Sequence, residues 1–196
     1  KVRPEQLESA ITKNTRLIIF NSPSNPTGMV YSGEEMEKIA RIVEKHEGLF
    51  LISDEIYEHI NFTGKHESIA QFDFLKDRVV IINGLSKGFA MTGWRLGFIA
   101  APVEIAKACD KIQGQFTSGA NAVTQRAAIA ALTGTLEPTQ AMVKKFRERR
   151  EKVMQLVKNI PGIICNEPPG AFYIFPDVSS YFGKVTEAGE TISNAD

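Results

Sequence analysis

Apolar residues in this chain fall into two recurring patterns: short unbroken runs, and positions spaced three and four apart. Arg16–Phe20 is a short apolar run, followed by the turn-rich Asn21-Ser22-Pro23-Ser24-Asn25-Pro26-Thr27-Gly28. Ser32-Gly33-Glu34-Glu35 reads as a capping box, in which the serine and the glutamate satisfy each other's backbone amides. It predicts a helix with Met36, Ile39, Ala40 and Val43 on one face, stopped by Gly48. Leu49–Ser53 is a second strand ending in Asp54-Glu55, and Val79–Asn83 a third that runs into Gly84-Leu85-Ser86-Lys87. Strands alternating with helices predict an α/β fold with a mostly parallel sheet.

One strand should run the other way. Arg95–Ala101 follows Asn83 too closely for a crossover, which needs roughly a dozen or more residues, so it is expected antiparallel. Pro102 then opens a helix at its first position, and another covers about Ala122–Leu132. A long helix from Pro138 to about Ile160 carries Met142, Phe146, Val153 and Leu156 as its apolar stripe. Beyond Pro161-Gly162, Ile163–Cys165 and Ala171–Phe175 read as strands of a second, smaller domain. Trp94 is expected in the core.

Composition narrows the function classes. Lys plus Arg and Asp plus Glu balance at 23 each, so no global field recruits nucleic acid or an anionic membrane. No apolar run approaches the ~18 residues of a membrane span. Cys109 and Cys165 make neither a CxxC motif nor a metal spacing. With no signal peptide opening the chain, a reduced, cytoplasmic protein is the expectation, and the sequon Asn61-Phe62-Thr63 reads as chance. His46, His59 and His66 lack a ligand pattern, so no metal is expected. The basic run Lys144–Arg150 reads as a solvated helix face supported by a Glu148–Lys152 pair. Neither a P-loop nor a GxGxxG pattern occurs.

Polar groups converge elsewhere. In open parallel sheets, ligands bind beyond the carboxyl ends of the strands. Asn25, Asp54 and Lys87 follow three successive strands at intervals of 29 and 33 residues, the period of βαβ units. Arg95 starts the antiparallel strand and so belongs to the same edge, and Tyr57 lies three residues past Asp54. Each has a bland reading: Asp54 as a helix cap, Asn25-Pro26 as a turn, Tyr57 as packing, Lys87 as a solvated loop residue. Together those readings require a separate coincidence at each position. An amine, carboxylate, phenol, amide and guanidinium around one cleft suit a cofactor with a carbonyl, a ring nitrogen and a phosphate.

At these residues the chain resembles the fold-type-I pyridoxal-phosphate enzymes, and within them the aspartate aminotransferase group. The stretches that carry the resemblance are Asn21–Gly28, Ser53-Asp54-Glu55-Ile56-Tyr57 and Ser86-Lys87-Gly88-Phe89-Ala90-Met91-Thr92-Gly93-Trp94-Arg95-Leu96-Gly97, and it runs from about Pro4 to Phe175. It implies that Lys87 holds pyridoxal 5'-phosphate as a Schiff base and shuttles a proton once displaced by substrate. It implies that Asp54 pairs with the pyridine nitrogen and that Tyr57 and Asn25 hydrogen-bond the phenolic oxygen. Ser86 and Arg95 would hold the phosphate. The implied fold is a three-layer sandwich: a cofactor-binding large domain over 1–140, an interdomain helix over 141–160 and the start of a small α+β domain over 161–196. A cis Asn25–Pro26 bond is also implied.

The same resemblance implies amino-acid and 2-oxo-acid substrates and a homodimer. Family members carry a preceding segment with a glycine-containing phosphate turn and an aromatic that stacks on the pyridine, and a following segment with the arginine that grips the substrate α-carboxylate. The chain therefore reads as a fragment. Gln115–Gln125 lacks the basic residue by which one branch binds dicarboxylates. This matches the bacterial branch that handles aspartate by other residues, sometimes with aromatic or prephenate activity. Transamination between aspartate and 2-oxoglutarate is the expected reaction. The alternatives are an aminotransferase-fold ligand sensor of a transcription regulator, or a lyase on the same scaffold.

Overall fold

The computed structural model of the chain describes residues 1–194. β-branched and aromatic residues form its first strand, β1 (Leu17–Asn21), after the short helix α1 (Pro4–Ala10). Helix α2 (Gly33–Lys45) starts on the expected capping box: Ser32 Oγ accepts from the Glu35 amide at 3.3 Å, and Glu35 Oε2 accepts from the Ser32 amide at 2.8 Å. Its far end is capped from a distance by Arg78, which donates to the Val43 and His46 carbonyls, both at 2.9 Å.

The remaining strands are β2 (Phe50–Asp54), β3 (Val79–Gly84) and β4 (Gly97–Ala100). They form one sheet in the order β1-β2-β3-β4, parallel through β3, with β4 antiparallel as expected. The β2-to-β3 connection is made by short 3₁₀ turns at Ile69–Gln71 and Asp73–Arg78, which bury Ile69 and Leu75. Those two residues join Met36, Ile39, Ala40 and Val43 of α2 with Leu49, Leu51 and Val79 in the main core.

Three further helices follow: α3 (Val103–Phe116), α4 (Ala122–Thr133) and α5 (Glu137–Lys158). Pro102 is the residue before α3 rather than its first, and its extended backbone caps the turn. On α5 the expected stripe holds at Met142 and Phe146, which are half-buried, and fails at Val153 and Leu156, the latter 58% exposed. The inward row continues instead through Arg150, Met154 and Val157. Arg150 takes the position one turn after Phe146 because its guanidinium finds partners there. It donates to the Pro168 carbonyl at 3.0 Å, pairs with Glu167 and lies 4.6 Å from the Phe62 ring centre. The basic run is therefore partly structural; Arg147 also bonds the Phe62 carbonyl, and Glu148 pairs with Lys145 rather than Lys152.

Two other expectations are corrected. Ile163–Cys165 and Ala171–Phe175 form no strands; single bridges join Ile164 to Asp177 and Asn61 to Gly170. Pro168 and Pro169 supply no amide hydrogen for a ladder, and the Gly170 and Ala171 amides are taken by the Gly28 and Ile60 carbonyls. Trp94 is 46% exposed, on a turn outside the core. Residues 195 and 196 of the expected small-domain segment lie outside the described residues.

Candidate active site

The carboxyl edge of the sheet is held in register by backbone pairing, with Asn21 opposite Asp54 and Asp54 opposite Ile82. Asn21 then ties the next turn to this edge. Its Nδ2 donates to the Asp54 carbonyl at 2.9 Å, and its Oδ1 accepts from the Asn25 amide at 2.6 Å. The turn contains cis Ser22–Pro23 and Asn25–Pro26 bonds, of which the second was expected. It closes at Gly28, whose φ of +67° is in the left-handed region, and a Cβ there would lie 2.4 Å from Pro168 Cβ. Glycine is therefore required twice over.

Asp54 projects from the end of β2, where its Oδ1 accepts from the Ile56 amide at 3.1 Å. One residue on, Glu55 turns into the protein and gathers Ser53 Oγ and Ser68 Oγ, both at 2.9 Å, and His66 Nε2 at 2.8 Å. His66 thus has a buried carboxylate as its partner, a role that no local spacing announced. Tyr57 follows, only 3% exposed, with its hydroxyl 2.6 Å from that of Tyr173. Burial first, then the Tyr173 hydroxyl and the Asp54 carboxylate, hold the Tyr57 phenol well above its ordinary 10, while a hydrogen bond from the Asn25 side chain opposes them. The same interactions put Asn25, Asp54 and Tyr57 in one neighbourhood.

Lys87 completes that neighbourhood. Its Nζ stands 5.7 Å from the Tyr57 ring centre and 5.5 Å from that of Phe172, and Tyr57 and Phe172 meet edge-to-face. Such contacts with aromatic faces steady an ammonium by about 0.5–1 kcal/mol at partly exposed sites. The Lys87 turn is clamped on both sides. Thr139 at the start of α5 donates to the Gly88 carbonyl at 2.9 Å, and a Cβ on Gly88 would come within 2.5 Å of the His59 ring. Ser86 is half-buried next to the lysine.

Arg95 stands apart from this group. It lies at the same edge, two residues before Gly97, which pairs with Gly84. Its backbone is left-handed (φ 53°), so β4 begins only at Gly97 and not at Arg95. The guanidinium is exposed and donates to the Thr92 carbonyl at 2.8 Å. With Ala90, Trp94, Gly119, Asn121 and Thr124 it lines an open cleft of about 570 Å³.

Three residues around the lysine were not singled out from the sequence: Asn21, Phe172 and Tyr173. Asn21 opens a quoted stretch but carries no distinguishing spacing. Phe172 and Tyr173 sit in a segment whose apolar pattern reads as a strand, so only their contacts with Lys87 and Tyr57, 85 and 116 residues away, reveal them.

A family model described as "Aminotransferase class I and II" matches residues 1–192. The chain is 49% identical over 199 residues to a "Bifunctional aspartate aminotransferase and glutamate/aspartate-prephenate aminotransferase" of Petunia hybrida, covering 98% of this chain and 41% of that protein. It is 45% identical over 179 residues to an "Aspartate aminotransferase" of Geobacillus stearothermophilus, covering 90% of this chain and 45% of the relative. Among solved structures, that of an aspartate aminotransferase from Rhizobium meliloti superimposes with a TM-score of 0.94 at 37% identity, over 98% of this chain and 49% of that one. An aromatic aminotransferase from Pyrococcus horikoshii OT3 gives 0.86 at 40% identity, over 90% and 48%. The chain thus spans a little under half the length of the relatives it matches. Both the fold and the family match place this chain in the class I and II aminotransferases.

Proposed function

We propose that the intact protein is a pyridoxal-phosphate-dependent aminotransferase that moves an amino group between aspartate and 2-oxoglutarate. The observation that carries this reading is the meeting of Lys87, Asp54, Tyr57 and Asn25 at one sheet edge, from segments up to 62 residues apart. The donor set fits the cofactor's chemistry: a primary amine for its carbonyl, a carboxylate for its ring nitrogen, and a phenol with an amide for its phenolic oxygen. Bound there, pyridoxal phosphate supplies an electron sink for the substrate's Cα.

The chain's own groups then have separable tasks. Lys87 would hold the cofactor through its amine and would carry a proton to and from the substrate's Cα. The Asp54 carboxylate keeps a proton on the ring nitrogen, a bias worth about 1.4 kcal/mol for each pKa unit. Tyr57 and Asn25 direct hydrogen bonds at the phenolic oxygen, while Ser86 and Arg95 take the phosphate, for which Arg95 exchanges its Thr92 bond. Aspartate is favoured because relatives are named for aspartate, several also for prephenate.

The same reading makes the intact protein a cytoplasmic homodimer acting on small amino and 2-oxo acids. It assigns residues 1–140 to the cofactor domain, 141–160 to the interdomain helix and 161–196 to the small domain. The test is an assay of the purified intact protein with aspartate and 2-oxoglutarate. Oxaloacetate and glutamate should form in equal amounts. Elimination products, or no ketoacid at all with cofactor supplied, would overturn the assignment.

A further inference from the structure

We infer that Tyr173 is a positioning residue: its hydroxyl donates to the Tyr57 oxygen and thereby aims the single Tyr57 proton at the cofactor's phenolic oxygen. The inference rests on the proposed cofactor reading and deepens it. Tyr57 and Tyr173 are 116 residues apart, yet their hydroxyls approach to 2.6 Å, a distance at which either oxygen can be the donor. Their rings meet edge-to-face at 5.8 Å, so the contact is fixed by packing as well as by the hydrogen bond.

The segment bearing Tyr173 is anchored. Gly170 and Ala171 donate to Gly28 and Ile60, at 2.9 and 2.7 Å, and Pro169 accepts from Phe62 at 2.8 Å. Ala171 is fully buried at a φ of 54°, a left-handed conformation that a residue with a Cβ holds only when its surroundings impose it. A Cβ on Gly170 would strike Val30 and Pro23, so the segment is seated directly on the turn that carries Asn25.

Counting donors decides the direction. A phenol has one proton and two lone pairs. The Asn25 side chain favours ionised Tyr57, as an amide donor beside the phenol oxygen does, and so faces one lone pair. If Tyr57 donated to Tyr173, no proton would remain for the cofactor. An ionised phenolic oxygen is a better acceptor than a neutral phenol, because charge-assisted hydrogen bonds are roughly twice as strong. With the cofactor present, the Tyr57 proton therefore turns to it, and Tyr173 becomes the donor to the second lone pair. Accepting two hydrogen bonds also polarises Tyr57 and strengthens its own donation.

The experiment is a pH titration of the visible absorbance of pyridoxal phosphate bound to the intact protein, with Tyr57→Phe, Tyr173→Phe and the double variant. Losing the Tyr57 hydrogen bond leaves the phenolic oxygen to hold its neighbouring proton on the Lys87 nitrogen more tightly. The midpoint should rise by about one pH unit or more. Tyr173→Phe, which keeps the ring and its packing, should raise it by about 0.1–0.3 unit, as a roughly 10–30% cooperative strengthening of a one-unit effect implies. The double variant should titrate like Tyr57→Phe alone, since Tyr173 acts through Tyr57. A fall in the midpoint for Tyr173→Phe would mean that Tyr57 had been donating to Tyr173. An unchanged midpoint, or a double variant displaced well beyond Tyr57→Phe, would also overturn the inference. If the unsubstituted protein shows no titrating absorbance, the proposed function itself fails, and the inference with it.

Discussion

On the α2 side of the sheet, Leu51 and Val79 lie under Met36, Ile39 and Val43 with almost no exposure. On the opposite side Ile19 is 75% exposed, and Leu17, Ile82 and Ile99 are also open; α3 buries no residue, leaving Phe116 83% exposed. Both halves are apolar, so hydrophobicity alone does not separate them. What differs is that α2 and the 3₁₀ turns return to cover one face, whereas α3 covers neither face of its own sheet. The candidate site sits where the difference is useful. Its backbone hangs from the sheet through Asp54 and Asn21, with Tyr57 buried, Asp54 and Lys87 half-buried and Asn25 exposed.

The comparison can be broken most sharply at the lysine. Lys87→Ala in the intact protein should lower turnover by about 10³-fold or more while leaving the thermal midpoint nearly unchanged, because the side chain serves chemistry at an edge rather than packing. Equal losses of rate and stability would place Lys87 in the scaffold instead.

Next come the two faces themselves. In urea unfolding of this chain, Leu51→Ala should cost about 2–5 kcal/mol through lost burial and a cavity, whereas Phe116→Ala should change stability by less than about 0.5 kcal/mol. Similar costs would show that the open half is covered in solution.

The seam between the site turn and the 168–173 segment should respond at an intermediate level. Gly170→Ala places a Cβ 2.7 Å from Val30 Cγ2 and 2.9 Å from Pro23 Cβ, so overpacking should cost about 1–3 kcal/mol by the same measurement. A neutral outcome would mean that the seam is loose.

The smallest effect belongs to Glu35 at the start of α2. Burial pushes its carboxyl up, but Lys1 and the Ser32 amide more than offset that and hold it below the ordinary 4.5. A carboxyl lowered in the folded state contributes stability above pH 4.5, and that contribution fades as the pH falls through its lower folded value. Glu35→Gln should therefore cost about 0.2–1 kcal/mol at pH 7 and less as the pH falls below 4.5, the partly exposed pair being screened by solvent. A cost that grows as the pH falls below 4.5 would reverse the assigned sign.

Legibility in the sequence followed the same division. Where structure is local, the pattern sufficed: the Ser32–Glu35 capping box and the Met36, Ile39, Ala40 and Val43 face need only neighbouring residues. The antiparallel β4 needed only chain length, since so few residues separate it from β3. Where a distant partner decides, the pattern misled. Arg150 lies inward on α5 because of Pro168 and Phe62, which no helical period can announce. Ala171–Phe175 reads as a strand, but its segment donates to Gly28 and Ile60 instead. Arg95 was placed at the correct edge, while its left-handed backbone and its bond to Thr92 came from the turn around it. Tyr173, seen only through its contact with Tyr57, belongs to the same class.

In the proposed function Lys87 is the point where cofactor meets chain, and borohydride reduction of the loaded intact protein tests this directly. Reduction should fix the cofactor irreversibly, and peptide mass mapping should find the pyridoxyl adduct on the peptide containing Ser86-Lys87-Gly88. An adduct on a different lysine, with Lys87 unmodified, would contradict the account.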